Sequence, residues 1–308
     1  MKVNKKLRIG IDLGGTKIEA IVMGEGSKIL HRERVATPRD YYAGTLEAIM
    51  GLVTRAEKAV GAKQKLPVGF GTPGAVSPAT GLIKNANSTA LNGRNLAEDL
   101  KTLLKRPVRI ANDADCLALS EAHDGAAAGA ACVFAAILGT GVGGGVAVNG
   151  QLLSGPNAIV GEWGHNSLPW PRPEWNEVPG PLGWDGRHGS IEVYCSGAGL
   201  ALDHERIAGE KRSGEEIVAA AEAGDEKALA TLARYEDRLA RSLASVINLL
   251  DPQVIVLGGG LSRVTRLYAH VPKLWDQWVF SDRVDTKLVP AMHGDSSGVR
   301  GAAWLWPE

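Results

Sequence analysis

The chain has 308 residues, in which 34 Lys and Arg balance 34 Asp and Glu, so no positive field exists to gather nucleic acid or anionic lipid. That length exceeds one ordinary hydrophobic core and predicts two lobes with a ligand cleft between them. No apolar run is long enough for a membrane span, the basic start lacks a signal-peptide core, and three scattered cysteines suit a reducing, cytoplasmic setting.

Residues 7–12 read as a buried strand, 13–17 as a tight glycine turn and 18–23 as a strand returning from it. A helix is predicted over about 45–60, where Leu46, Ile49, Val53 and Ala56 keep helical spacing, and a further strand begins in 66–70. Gly, Pro, Asn and Ser crowd residues 71–95, which predicts a long polar loop of functional character. The strand-like run 107–111 then delivers Asn112 and Asp113 to a helix over about 115–122. At that junction the helix dipole favours a carboxylate anion, which makes Asp113 a candidate general base. The same pair would also serve as a simple helix cap.

Small residues at 125–130 read as the passage into a second lobe, where the opening pattern restarts: strand 132–138, glycine turn 139–145, returning strand 146–148. Between 166 and 190, Pro169, Pro171, Pro173, Pro179 and Pro181 exclude a regular helix and predict an extended surface segment. Its Trp170, Trp175 and Trp184 suit packing onto their own lobe, a cleft cover or the contact of a homodimer. Asp225 opens a long amphipathic helix that Asp251-Pro252 stops. The apolar strand 254–257 ends in Gly258–Gly260, and 296–306 suits a closing helix.

Three glycine-rich turns at strand ends can cradle phosphate oxygens, although any one of them alone would pass as a structural turn. With Asp12, Thr16 and Lys17 beside the first, they suggest a nucleoside triphosphate and its Mg ion, Asp12 being the carboxylate that reaches the cation, directly or through water. Gly139, Gly141 and Gly144 satisfy the dinucleotide pattern G-x-G-x-x-G, but the residues that follow read as a strand where that fingerprint needs a helix. The Walker pattern is absent. Asn112, Asp113, Glu162, His165 and Glu192 form a second polar set that fits a polyhydroxyl ligand, since neighbouring hydroxyls both donate and accept.

Ile11-Asp-Leu-Gly-Gly-Thr-Lys, Ala111-Asn-Asp-Ala, Gly139-Thr-Gly-Val-Gly-Gly-Gly, Gly161-Glu-Trp-Gly-His and Leu257-Gly-Gly-Gly together resemble the ROK family of sugar kinases and repressors. Within it the stretches starting at Asn85, Cys116 and His293 are similar to bacterial fructokinases, including the manno(fructo)kinase type. The resemblance implies an α/β, actin-like (hexokinase-type) ATPase fold, with a small lobe of 1–118 plus 293–308 and a larger one of 119–292. It implies ATP and Mg as cofactors, Asp113 as base, and sugar contacts from Asn87, Asn112, Asp113, Glu162, His165 and Glu192. Nucleotide contacts are implied for Asp12, Gly14, Gly15, Thr16 and Lys17, for Gly139, Thr140, Gly141, Gly143 and Gly144, and for Gly258, Gly259 and Gly260.

The expected reaction is phosphorylation of a hexose at its 6-hydroxyl, fructose first, with glucose, mannose or N-acetylglucosamine as the alternatives. A sugar-responsive repressor would need a DNA-reading domain before the first glycine turn, where only a short segment stands. A non-catalytic sugar binder would have no use for Asp113. Such proteins usually carry a zinc knot of the form C-x-C-G-x-x-G-C completed by the histidine of the Gly-His motif. The corresponding residues 178–190 contain no cysteine, Ser190 standing where the last would be and His188 being the one local substitute, so no structural zinc is expected.

Overall fold

The computed structural model describes residues 7–38, 40–86 and 88–307. The chain divides into two compact units, Met1–Ala128 with Gly150–Val160 and Asp295–Glu308, and Gly129–Asn149 with Gly161–Gly294. The expected boundary after residue 118 would cut the helix Asp113–Asp124. That helix stays whole in the first unit, and 150–160 returns to it.

In the first unit the sheet runs Ile29–Ala36, Lys17–Met23, Arg8–Leu13, Val68–Thr72, Val108–Asn112. The first three strands are antiparallel and the rest parallel. Ile29–Ala36 has no counterpart in the sequence reading because its charges obscure the strand pattern. Arg32 and Arg34 are exposed, yet both reach across to buried Glu19, at 3.2 and 2.7 Å. The helix Tyr42–Ala59 covers the sheet with Ile49, Leu52, Val53 and Ala56. A second helix, Leu96–Leu104, also absent from the sequence reading, is capped by the Asn95 side chain and buries Leu96, Leu100 and Leu104. The expected loop 71–95 holds more order than its composition suggests: Ala75–Val76 pairs with Ile83–Lys84, and Asn92 clamps Ala86 through both its amide oxygen and its amide nitrogen.

The closing helix Ser297–Trp304 sets the position of the acidic residues in this unit. A Cβ on Gly10 would come within 2.1 Å of the Val299 carbonyl, and one on Gly301 within 1.8 Å of the Cys116 carbonyl. Only glycine lets this helix press on both the strand carrying Asp12 and the helix begun by Asp113.

In the second unit Val142–Val148 lies antiparallel beside Cys132–Leu138, which is parallel to Val254–Gly258, itself parallel to Lys287–Pro290. This repeats the first unit's arrangement of a glycine hairpin followed by two parallel strands, the duplication suggested by the restart at residue 132. The hairpin turn is tighter than expected: Gly143, Gly144 and Gly145 belong to the strand, opposite Ile137, Ala136 and Ala135. The long helix is Glu226–Leu250, with Asp225 accepting from Ala228 N and Asp251 in the left-handed region at its end. Among the described residues no helix is long and apolar enough to cross a membrane.

Candidate functional site

The first unit separates the two roles that the sequence left open for Asn112 and Asp113. Asn112 is the cap, its Oδ1 accepting from Asp115 N at 2.6 Å, so its amide N–H group is what it can offer a sugar. Asp113 stands exposed in the first helical turn, with Oδ1 accepting from Ala114 N at 2.9 Å. A carboxylate there is favoured by the helix dipole and accessible to a hydroxyl donor.

Asp12, half-buried on its strand, is pushed up to about 6 by burial first, then by the negative charges of Asp113 and Glu19, against the opposing Lys17 and Arg34. This surplus of negative charge fits a divalent cation, which would favour the ionised form. The adjoining turn is closed by its own backbone, Gly14 N donating to Lys17 O at 3.0 Å, while Thr37 Oγ1 donates to Gly14 O at 2.7 Å. Gly14 therefore spends its N–H inside the turn, and exposed Gly15 and Thr16, with half-buried Lys17, make its outward face. Beside it lies a cavity of about 230 Å³ lined by Leu13, Gly15, Thr37 and Ser88. Asn87, expected to touch the sugar, lies outside the described residues.

In the second unit buried Trp163 anchors the Gly-Glu-Trp-Gly-His motif, its Nε1 donating to Gly143 O at 2.9 Å and its ring standing edge-on to Phe134. Glu162 and His165 are then left half-exposed, with His165 Nε2 3.6 Å from Glu162 Oε2. Glu192 accepts from Val142 N through Oε2 at 2.9 Å and from Trp184 Nε1 through Oε1 at 2.8 Å. Asp185, which the sequence reading passed over, places Oδ2 3.6 Å from His165 Nδ1. Its one local signal was the Asp-Gly pair of a tight turn.

The glycines separate by physical role. A Cβ on Gly141 would meet Glu192 Oε2 at 2.6 Å, so this glycine makes room for a carboxylate expected to face sugar. Gly144 and Gly258 are buried in strands, and Gly144 lies under Gly161 and Trp163, so neither presents a surface to nucleotide. Gly259 has φ +80° and would press on Leu138, which is a requirement of the turn itself. Gly139 and Gly260 meet nothing within 4 Å, and Thr140 is exposed. Gly260→Val is therefore expected to fold normally and to weaken ATP binding about tenfold, roughly 1.4 kcal/mol. Gly141→Val is expected to disturb the sugar through Glu192 as well. Calorimetric titration of both variants checks this, and unchanged ATP affinity in Gly260→Val would leave that turn without a nucleotide role.

The cysteine-free segment 166–190 is organised around a buried carboxylate. Glu177 accepts from Arg238 Nε at 2.7 Å, from Arg241 Nη2 at 3.0 Å and from Arg172 N at 2.7 Å. Arg241 also donates to the carbonyls of Pro169 and Trp170, and Asp237 joins Arg172 to Arg241. The segment is largely exposed, as the sequence predicts, and this buried charge cluster orders it together with ring packing such as Trp170 stacked on Trp278. His188 Nδ1 lies 2.9 Å from the Gly180 carbonyl oxygen. Cys195 is buried, and burial pushes its thiol up to about 12.

A sequence profile of the ROK family matches residues 8–308. The chain is 41% identical over 300 residues to an N-acetyl-D-glucosamine kinase of Vibrio cholerae, covering 96% of this chain and 98% of that one. It is 40% identical over 301 residues to an N-acetyl-D-glucosamine kinase of Photobacterium profundum, with the same coverage. Among solved structures, the ROK hexokinase of Thermus thermophilus superposes with a TM-score of 0.85 at 30% identity, covering 97% of each chain. A Streptomyces griseus ROK family glucokinase, in complex with glucose and AMPPNP, gives 0.74 at 28%, covering 97% of this chain and 98% of that one.

Proposed function

We propose, since this chain belongs to the ROK family and is one of its sugar kinases, that it transfers the γ-phosphoryl group of ATP to the 6-hydroxyl of N-acetyl-D-glucosamine. The observation that carries the sugar assignment is the relatives named N-acetyl-D-glucosamine kinase, at about two-fifths identity along nearly the whole of both chains. They favour the amino sugar, one of the alternatives expected from sequence, over fructose. In this reading Asp113 accepts the hydroxyl proton, and Glu162, His165 and Glu192 hold ring hydroxyls. Gly15, Thr16, Lys17, Gly139, Thr140 and Gly260 serve the nucleotide. Asp12 is the residue to hold Mg, whose chemistry is to neutralise charge on the transferring phosphate.

A panel of N-acetylglucosamine, glucose, mannose and fructose, assayed with ATP and Mg, tests the assignment. The expected result is a kcat/KM for N-acetylglucosamine at least about tenfold above every other sugar, the scale set by a few directed polar contacts. Fructose or glucose in first place would replace the sugar assignment. Turnover with none of the hexoses would remove the kinase itself.

A further inference from the structure

We propose that Trp184 and Asp185, at the tip of the hairpin 182–188, are positioning residues that hold Glu192 and His165 in the geometry that binds sugar. The proposal rests on the assignment of Glu192 and His165 to the sugar. It gives a role to the cysteine-free segment that stands where the resemblance places a zinc knot.

The hairpin is closed independently of its neighbours. Leu182 and His188 form an antiparallel bridge, Gly183 N donates to Arg187 O at 2.8 Å and Gly186 N to Gly183 O at 3.1 Å. Gly186 takes φ +79° at the turn, a conformation favoured by glycine. This backbone carries two side chains that point to two different residues of the polar cluster.

Trp184 is 71% exposed, so it adds little buried area to the fold. Its indole N–H is nevertheless committed to Glu192 Oε1 at 2.8 Å, and its ring stands edge-on to His165 at 5.8 Å between centroids. Glu192 Oε2 is held by Val142 N, so Trp184 completes a two-point grip that fixes the plane of the carboxylate. Removing either donor would let the carboxylate rotate about its side chain.

Asp185 does the equivalent for His165. Arg187 holds it through its backbone N at 3.0 Å and its Nε at 2.9 Å, bonds that keep the carboxyl below the usual carboxylate range. The fixed Oδ2 then faces His165 Nδ1, while Glu162 faces Nε2, both at 3.6 Å. An imidazole between two carboxylates has its ring plane set by them.

The test uses the 308-residue enzyme with Trp184→Phe, which keeps an aromatic ring and loses the donor, and Asp185→Asn, which keeps one acceptor for Arg187 and loses the charge. Trp184→Phe is expected to raise the KM for N-acetylglucosamine about tenfold, the scale of losing one bond to a charged group at a half-exposed site, and Asp185→Asn, which removes a charge contact at 3.6 Å, to raise it about threefold to fivefold. The expected kcat, KM for ATP and Tm stay near wild type, the signature of lost sugar binding rather than lost structure. In a Glu192→Ala background, where no side-chain oxygen is left to accept the indole N–H, Trp184→Phe should add nothing further, because the indole acts through that side chain. A sugar KM within about twofold of wild type in both variants, or a full Trp184→Phe effect in the Glu192→Ala background, would overturn the proposal while leaving the kinase in place. A wild-type enzyme that turned over no hexose would overturn the sugar reading, and this proposal with it.

Discussion

Asp113→Asn is expected to lower turnover by two orders of magnitude or more, about the scale of losing a general base, with fold and nucleotide affinity retained. The fold should hold because the cap is Asn112, which the change leaves alone, and because an asparagine oxygen can still accept from Ala114 N. What asparagine lacks is the basic carboxylate. The change also removes a negative charge that, after burial, helps to hold Asp12 at about 6. Asp12 contributes stability that is fully present below its ordinary value of 3.8 and lost as pH rises through 6. Removing the Asp113 charge should shrink that loss, so the variant should hold its Tm relative to wild type better at pH 8 than at pH 4. Steady-state assays with thermal melts at the two pH values check both parts, and near-normal turnover in a folded variant would eliminate Asp113 as base.

Glu177→Ala is expected to cost about 3–5 kcal/mol of stability, the cost of leaving buried charges without their partner. Arg238 and Arg241 are as deeply buried as Glu177 itself, and deletion would remove the carboxylate they share, leaving Arg238 with Asp203 and Arg241 with Asp237 as their remaining carboxylate partners. A fall in Tm on the order of 10 °C follows for a chain of this size. Glu177→Gln, which keeps one acceptor oxygen where Glu177 offers two to Arg172 N and Arg238, should fall less. A Tm within about 1 °C of wild type in Glu177→Ala would show that the cluster does not hold the segment. Because protein groups organise this segment, prolonged chelation is expected to leave Tm unmoved, and near-stoichiometric zinc by elemental analysis would overturn that expectation.

Short-range signals were enough for much of the architecture. The apolar runs at 7–12, 132–138 and 254–257 each gave a strand, Asp225 and Asp251-Pro252 bracketed the long helix, and the restarted glycine pattern gave the duplicated topology. These depend on periodicity, capping and backbone freedom within a few residues, all of which are local properties of a chain. The strand–helix junction at Asp113 was legible for the same reason.

Tertiary structure decided what depends on residues far apart in sequence. Ile29–Ala36 is a strand partly because its arginines pair with Glu19, 15 residues away from Arg34. Gly141, read from sequence as a phosphate cradle, turned out to make room for Glu192, whose bond to Val142 spans 50 residues. Glu177, an ordinary acid within a proline-rich run, is buried because Arg238 and Arg241 come to it from 61 and 64 residues along the chain. A charge reads as solvated when only its neighbours in sequence are seen. Its desolvation and its partners are set by the packing of distant elements, and no local period encodes them.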